Sequence, residues 1–109
     1  RDQVSRTYDY SEAIDDMLAA DRILPGVPYV YFNLGNLYCL SSKFVESVDS
    51  YTRAINIYPY MGDAYYNRGL VLIYLKDKEK GCIDLSRAGE LGVGDAYSVI
   101  SKYCEEEKK

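Results

Sequence analysis

The sequence has no histidine and only three cysteines, Cys39, Cys82 and Cys104. Without histidine, the commonest general base and the imidazole metal ligand are both missing. An odd number of cysteines with no CxxC spacing argues against a disulfide framework and against a zinc site. Neither a Walker-type phosphate loop nor a dinucleotide-binding glycine fingerprint occurs. Positive charge is scarce as well: 13 Lys and Arg stand against 17 Asp and Glu, a net charge of −4. The longest positive cluster is the mixed "KDKEK" at 76–80, so no basic patch displaces counterions from phosphates and nucleic-acid binding is not expected. No run approaches the roughly 18 apolar residues of a membrane span. The candidates "GVPYVYFNLGNLYCL" and "GLVLIYL" are broken by Gly, Asn or a following charge. The sequence thus marks no catalytic residue, metal or cofactor, and an enzyme is the least supported class.

What is present is enough for a core. The chain is 48% hydrophobic and 28% charged, and 109 residues normally make one domain. Arg1 stands first in place of Met, so the chain is expected to be a processed or excised piece, and a signal peptide is neither seen nor excluded. The tail "CEEEKK" reads as a solvated chain end.

The sequence repeats itself. "GDAY" occurs at 62–65 and again at 94–97. Shifting the chain by 34 residues brings Tyr31 onto Tyr65, Asn33 onto Asn67, Gly35 onto Gly69 and Pro25 onto Pro59. Ala20 falls on Ala54 and then Ala88, and Ile23 on Ile57 and then Leu91. Ala13, Ser47 and Gly81 share one small-residue line; Met17, Tyr51 and Leu85 share a large one. Fixed-period self-similarity of this kind marks a repeat architecture. Within a unit, Tyr31, Leu34, Gly35 and Tyr38 keep helical spacing, as do Phe44, Val48, Tyr51, Ala54 and Ile55. The short polar "SSK" separates them. Each unit therefore reads as helix, tight turn, helix. Pro59 ends the second helix, and Pro28 opens the first, where its missing N–H costs nothing. Helices are expected near 9–24, 28–41, 44–58, 62–75, 78–91 and 95–107. Glycine inside a helix costs about 0.5–1 kcal/mol relative to alanine, so Gly35 and Gly69 in one register point to close packing, Gly35 against Ser47 and Gly69 against Gly81.

This pattern resembles the tetratricopeptide repeat, whose unit is 34 residues. Tyr31, Leu34, Gly35, Tyr38, Ser47, Tyr51, Ala54 and Pro59 occupy the signature places, with Tyr31 for the usual Trp and Ser47 for the usual Ala. The next unit keeps Tyr65, Gly69, Gly81 and Ala88, and departs at Arg68, Leu72 and Val93. Arg68 is expected to run its methylenes along the core and hold its charge at the edge. The resemblance covers about nine-tenths of the chain and implies an all-α right-handed superhelix. The expected division is a partial repeat at 1–27, full repeats at 28–61 and 62–93, and a capping helix with acidic tail at 94–109. In this frame each "GDAY" opens a first helix, with Asp as cap or in the first turn and Tyr as anchor. The last helix should solvate the final apolar face: Tyr97, Ile100 and Cys104 inward; Lys102, Glu105 and Glu106 outward.

The family's concave face, lined by first helices, is where peptides usually bind. Carried over by register, it comprises Tyr29, Phe32, Asn36, Cys39 and Leu40 from one unit, and Asp63, Tyr66, Leu70, Ile73 and Tyr74 from the next. Seven of these ten are apolar or aromatic, and exposed apolar patches tend to be contact sites. Asn36 is expected to hold a peptide backbone by hydrogen bonds. Some family members grip a C-terminal carboxylate with lysines, an arginine and two asparagines. Asn36 and Asn67 fit that scheme, but Phe32 stands where the first lysine belongs, so such a clamp is not expected. The resemblance implies a non-catalytic module for a protein or peptide partner. A structural or self-associating segment of a longer superhelix, a homo-oligomer without a separate ligand, stays open. Antiparallel helices would bring Cys82 near Cys104, yet an excess of unpaired thiol favours a reducing compartment. Free thiols are therefore the expectation, with a Cys82–Cys104 disulfide as the alternative; the compartment stays open with a lean to the cytoplasm, and Cys39 is expected to face the groove.

Overall fold

The computed structural model describes residues 9–105. It contains six helices and, among the described residues, no strand: α1 (Ser11–Ile23), α2 (Pro28–Leu40), α3 (Phe44–Ile57), α4 (Gly62–Tyr74), α5 (Lys78–Glu90) and α6 (Asp95–Tyr103). Each helix packs on the next, and α2 also touches α4. The result is an elongated slab of 50 × 39 × 21 Å. The all-α superhelix of paired helices is the observed architecture.

Turn chemistry sets the helix pairs. After α2 and α4, Ser42 and Lys76 adopt left-handed backbone, φ 62° and 73°. Lys43 N–H then donates to the Tyr38 carbonyl, and Asp77 N–H to that of Leu72, both at 2.8 Å. These bonds fold the orphan carbonyls of a helix end back onto the chain, as the Schellman arrangement does. The same turn recurs after α5, where Gly92 has φ 101° and Val93 N–H reaches the Ala88 carbonyl at 2.9 Å. The α3–α4 link has no left-handed residue among 58–61; there Tyr58 N–H bonds Ala54 and Met61 N–H bonds Tyr58. Val93 in place of a proline supplies the N–H that the tight turn needs. That explains why the second "GDAY" arrives 32 residues after the first instead of 34.

Small residues hold the backbones together. Ser47 Oγ donates to the Gly35 carbonyl at 2.8 Å. A Cβ placed on Gly35 would lie 2.5 Å from the Tyr51 ring. At the α4–α5 crossing, a Cβ on Gly69 would meet the Gly81 carbonyl at 2.8 Å, and one on Gly81 the Gly69 carbonyl at 2.7 Å. Both expected pairings exist. Two core clusters result. One gathers Ile14, Tyr31, Leu34, Tyr51, Ala54, Ile55, Met61, Ala64 and Val71; the other centres on Leu85, Ala88 and Ala96.

Three expectations are corrected. Arg68 does not carry its charge to the edge. Its Nε and an Nη bind the Asp84 carboxylate at 2.7 and 2.8 Å, and its other Nη donates to Thr52 Oγ1 at 2.9 Å. The guanidinium thus joins α3, α4 and α5 where leucine would have packed, because buried Asp84 supplies the counter-charge and a planar fork to meet it. Second, Cys82 and Cys104 are joined in a disulfide, leaving Cys39 as the free thiol. The start of α5 and the end of α6 bring their Cα atoms to 5.8 Å, inside bridging range. The argument for a reducing compartment therefore loses two of its three thiols. Third, α6 ends at Tyr103 and not near 107: Cys104 N–H and Glu105 N–H both turn back to the Ile100 carbonyl. A run of glutamates is unfavourable at the negative end of a helix. On α6, Ile100 and Cys104 pack inward and Lys102 and Glu105 are exposed, as expected. Tyr97 lays its ring over Gly89 while staying half exposed. The expectations for residues 1–8, and for Glu106 and the tail beyond it, lie outside the described residues.

Candidate peptide-binding groove

Helices α2 and α4 stand side by side, and their turns repeat with the same register. Between them lies a hollow of about 390 Å³ lined by Asn36, Cys39, Leu40, Tyr51, Asn67, Leu70 and Val71. Four of the ten residues expected from sequence thus share one cavity: Asn36, Cys39, Leu40 and Leu70. Leu40 is 60% and Leu70 36% exposed.

A polar triad edges the cavity. The Tyr51 hydroxyl donates to Asn36 Oδ1, and Asn67 Nδ2 donates to the same oxygen at 3.0 Å. Asn36 Oδ1 is therefore occupied and cannot take a peptide N–H; its amide nitrogen is the group left to face a ligand. Burial pushes the Tyr51 phenol up to about 12, and burial likewise raises the Cys39 thiol above its ordinary value. Cys39 is thus held as a neutral thiol, an apolar wall more than a nucleophile.

The other six expected residues take different places. Phe32 packs on the core with its ring centroid 5.9 Å from Tyr51. Tyr66 and Ile73 pack against the Leu85 cluster, and Ile73 touches the position a Gly81 Cβ would occupy. These three are largely core contacts, because a first helix must bury one side against its partner before it can offer the other. Tyr74 is exposed, with its ring 4.7 Å from that of Phe44. Tyr29 and Asp63, equivalent by register, line a separate hollow. Sequence reasoning missed Tyr51 and Val71, which reach the cavity from α3 and from the inner side of α4. The large line of Met17, Tyr51 and Leu85 was visible, but it reads equally well as core, and no repeat match singled out Val71. Asn67 carried a sequence signal through its 34-residue match to Asn33. In space, however, its partner is Asn36.

No family model matches the chain. Among solved structures, it is similar to the first TPR of Spaghetti (RPAP3) bound to the HSP90 peptide SRMEEVD. The TM-score is 0.81 and the identity 25%, over 86% of this chain and 76% of that one. The chain has the tetratricopeptide repeat fold. Among curated proteins, 79 residues are 30% identical to a UDP-N-acetylglucosamine–peptide N-acetylglucosaminyltransferase of Giardia intestinalis (strain ATCC 50803 / WB clone C6). That match covers 72% of this tetratricopeptide chain but only 5% of the transferase. Among the described residues, no cluster of potential metal ligands occurs, and no helix is long and apolar enough to cross a membrane.

Proposed function

We propose that this tetratricopeptide array is a non-catalytic protein-interaction module that takes a peptide segment in the hollow between α2 and α4. The observation that carries the reading is the hollow itself: about 390 Å³, walled by Cys39, Leu40, Leu70 and Val71, with the Asn36–Asn67 pair at its rim. Apolar walls anchor side chains, and a few fixed polar groups orient the backbone. The structural neighbour, which is bound to an HSP90 peptide, supports the same use of the fold. We adopt the division into a partial repeat at 1–27, repeats at 28–61 and 62–93, and a terminal helix and tail from 94. No lysine or arginine lines the hollow, so the ligand we assign is neutral or basic with apolar anchors. The acidic SRMEEVD peptide named for the neighbour is not expected to bind.

The test is a random peptide display selection on the folded chain, followed by fluorescence anisotropy of the selected peptides. Leu40→Glu with Leu70→Glu is the variant of choice. Both side chains are exposed, so helical circular dichroism should survive while affinity falls at least tenfold, the loss of one or two interface anchors. Phe32→Ala with Tyr66→Ala is a less clean pair, because both rings support the core. Undiminished binding by the folded Leu40→Glu/Leu70→Glu protein would move the site elsewhere. The self-associating reading rests on the exposed Tyr29, Leu40 and Tyr74 on first helices. Light scattering after size exclusion separates the two, since a stable dimer abolished by the same variant would occupy the hollow with a second copy.

A further inference from the structure

A second hollow, of about 320 Å³, opens where the α3–α4 link meets the end of α5. Three tyrosines line it: Tyr29 from the start of α2, and Tyr58 and Tyr60 from the link. Their exposures are 61%, 47% and 64%. The Tyr58 and Tyr60 rings stand 6.0 Å apart at 72°, two walls close to perpendicular. Met61, Gly62 and Val93 line it as well, and Asp63 adds a carboxylate.

The face of a tyrosine ring carries negative potential and attracts weakly hydrated cations. Elsewhere in this chain such faces are already used. Arg53 lies over Tyr31, Arg68 and Arg87 over Tyr65, and Lys102 over Tyr103. Among the described residues no cation lies over Tyr29, Tyr58 or Tyr60, none lines the hollow, and Asp63 makes no ion pair. The backbone ends roughly offset one another there: α4 presents its positive N-terminus and α5 its negative C-terminus. Asp63 therefore decides the sign of the site.

The geometry points to a binding site for an organic cation, the guanidinium of an arginine or the methylated ammonium of a lysine on a partner chain. A plain ammonium is strongly hydrated and gives up its water reluctantly; a guanidinium or a methylated ammonium presents a broad, weakly hydrated surface to the rings. The site is separate from the hollow at Asn36 and does not depend on a peptide occupying it.

Amide chemical shifts of the full chain, titrated at constant ionic strength with tetramethylammonium and separately with methylguanidinium, test the site. Both probes should give saturable shifts at Gly62, Asp63 and Gly92 in the millimolar range. The tighter of the two identifies which side chain the site prefers. The neutral isostere tert-butanol should give none. Tyr58→Ala and Tyr60→Ala should each weaken binding at least fivefold, and Asp63→Asn at least threefold. Tyr60→Leu keeps apolar bulk without the ring, so it remains informative if a truncation loosens the link. The Leu40→Glu/Leu70→Glu protein should bind both cations as the parent does. Shifts that stay linear, an equal response to tert-butanol, or undiminished affinity in Tyr60→Leu would overturn the assignment.

Discussion

The α4–α5 crossing gives a prediction whose sign decides the matter. In Gly81→Ala, the new Cβ would stand 2.7 Å from the Gly69 carbonyl oxygen, 2.7 Å from Ile73 Cγ1 and 3.1 Å from the Ile73 amide nitrogen. Non-bonded heavy atoms settle at about 3.5–4.0 Å, so the two helices must separate by roughly 0.5–1 Å. Two of the three obstacles are backbone atoms of α4, which no rotamer change can move. Overpacking of this kind costs about 1–3 kcal/mol. Alanine in a helix interior, by contrast, gains about 1 kcal/mol over glycine. With two backbone obstacles the overpacking falls in the upper part of that range, about 2–3 kcal/mol, so the net expectation is a loss of about 1–2 kcal/mol and a Tm lower by roughly 5–15 °C. A thermal melt followed by far-UV circular dichroism reads it directly. Gly94→Ala is the control, since nothing lies within 4 Å of its Cβ position; its change should stay within about 0.5 kcal/mol. Gly69→Ala added to Gly81→Ala should cost less than it does alone, because the helices have already parted. A Tm for Gly81→Ala equal to or above that of the parent would show that the helices do not touch there.

Three further outcomes follow from named contacts. Lys76→Gly relieves left-handed backbone at an exposed turn and should raise stability in urea by about 0.5–1 kcal/mol, an effect absent if φ at 76 is negative in solution. Reduction of the Cys82–Cys104 bond, or Cys82→Ser with Cys104→Ser, reopens a loop of 22 residues and should cost about 3 kcal/mol; identical melts with and without reductant would mean the bond is not formed. Asp84→Ala strands the Arg68 guanidinium, whose side chain is 18% exposed against 7% for Asp84, and should cost about 3–5 kcal/mol in denaturant unfolding. Arg68→Leu with Asp84→Leu should recover most of that loss, and a double variant as unstable as the single one would assign the defect to packing instead.

The sequence by itself determined the repeat and its register. Tyr31 on Tyr65, Gly35 on Gly69 and Pro25 on Pro59 mark one supersecondary unit written twice. A helix pair cannot bury its apolar face alone and so must stack on the next. The close approaches at Gly35–Ser47 and Gly69–Gly81 were legible for the same reason, because a glycine kept inside a helix announces a neighbour's backbone. Tertiary structure decided whatever depends on distances between helices that the pattern treats as equivalent. Asn36 meets Asn67 and Tyr51, and so spends its oxygen inside the fold. Phe32, Tyr66 and Ile73 share the groove's register with Leu40 and Leu70, yet helical rotation turns them to the core. Arg68 finds Asp84 and Thr52 on two other helices, and Cys82 finds Cys104. Periodicity specifies which face of a helix is apolar; only packing fixes which atom of the next helix stands opposite it.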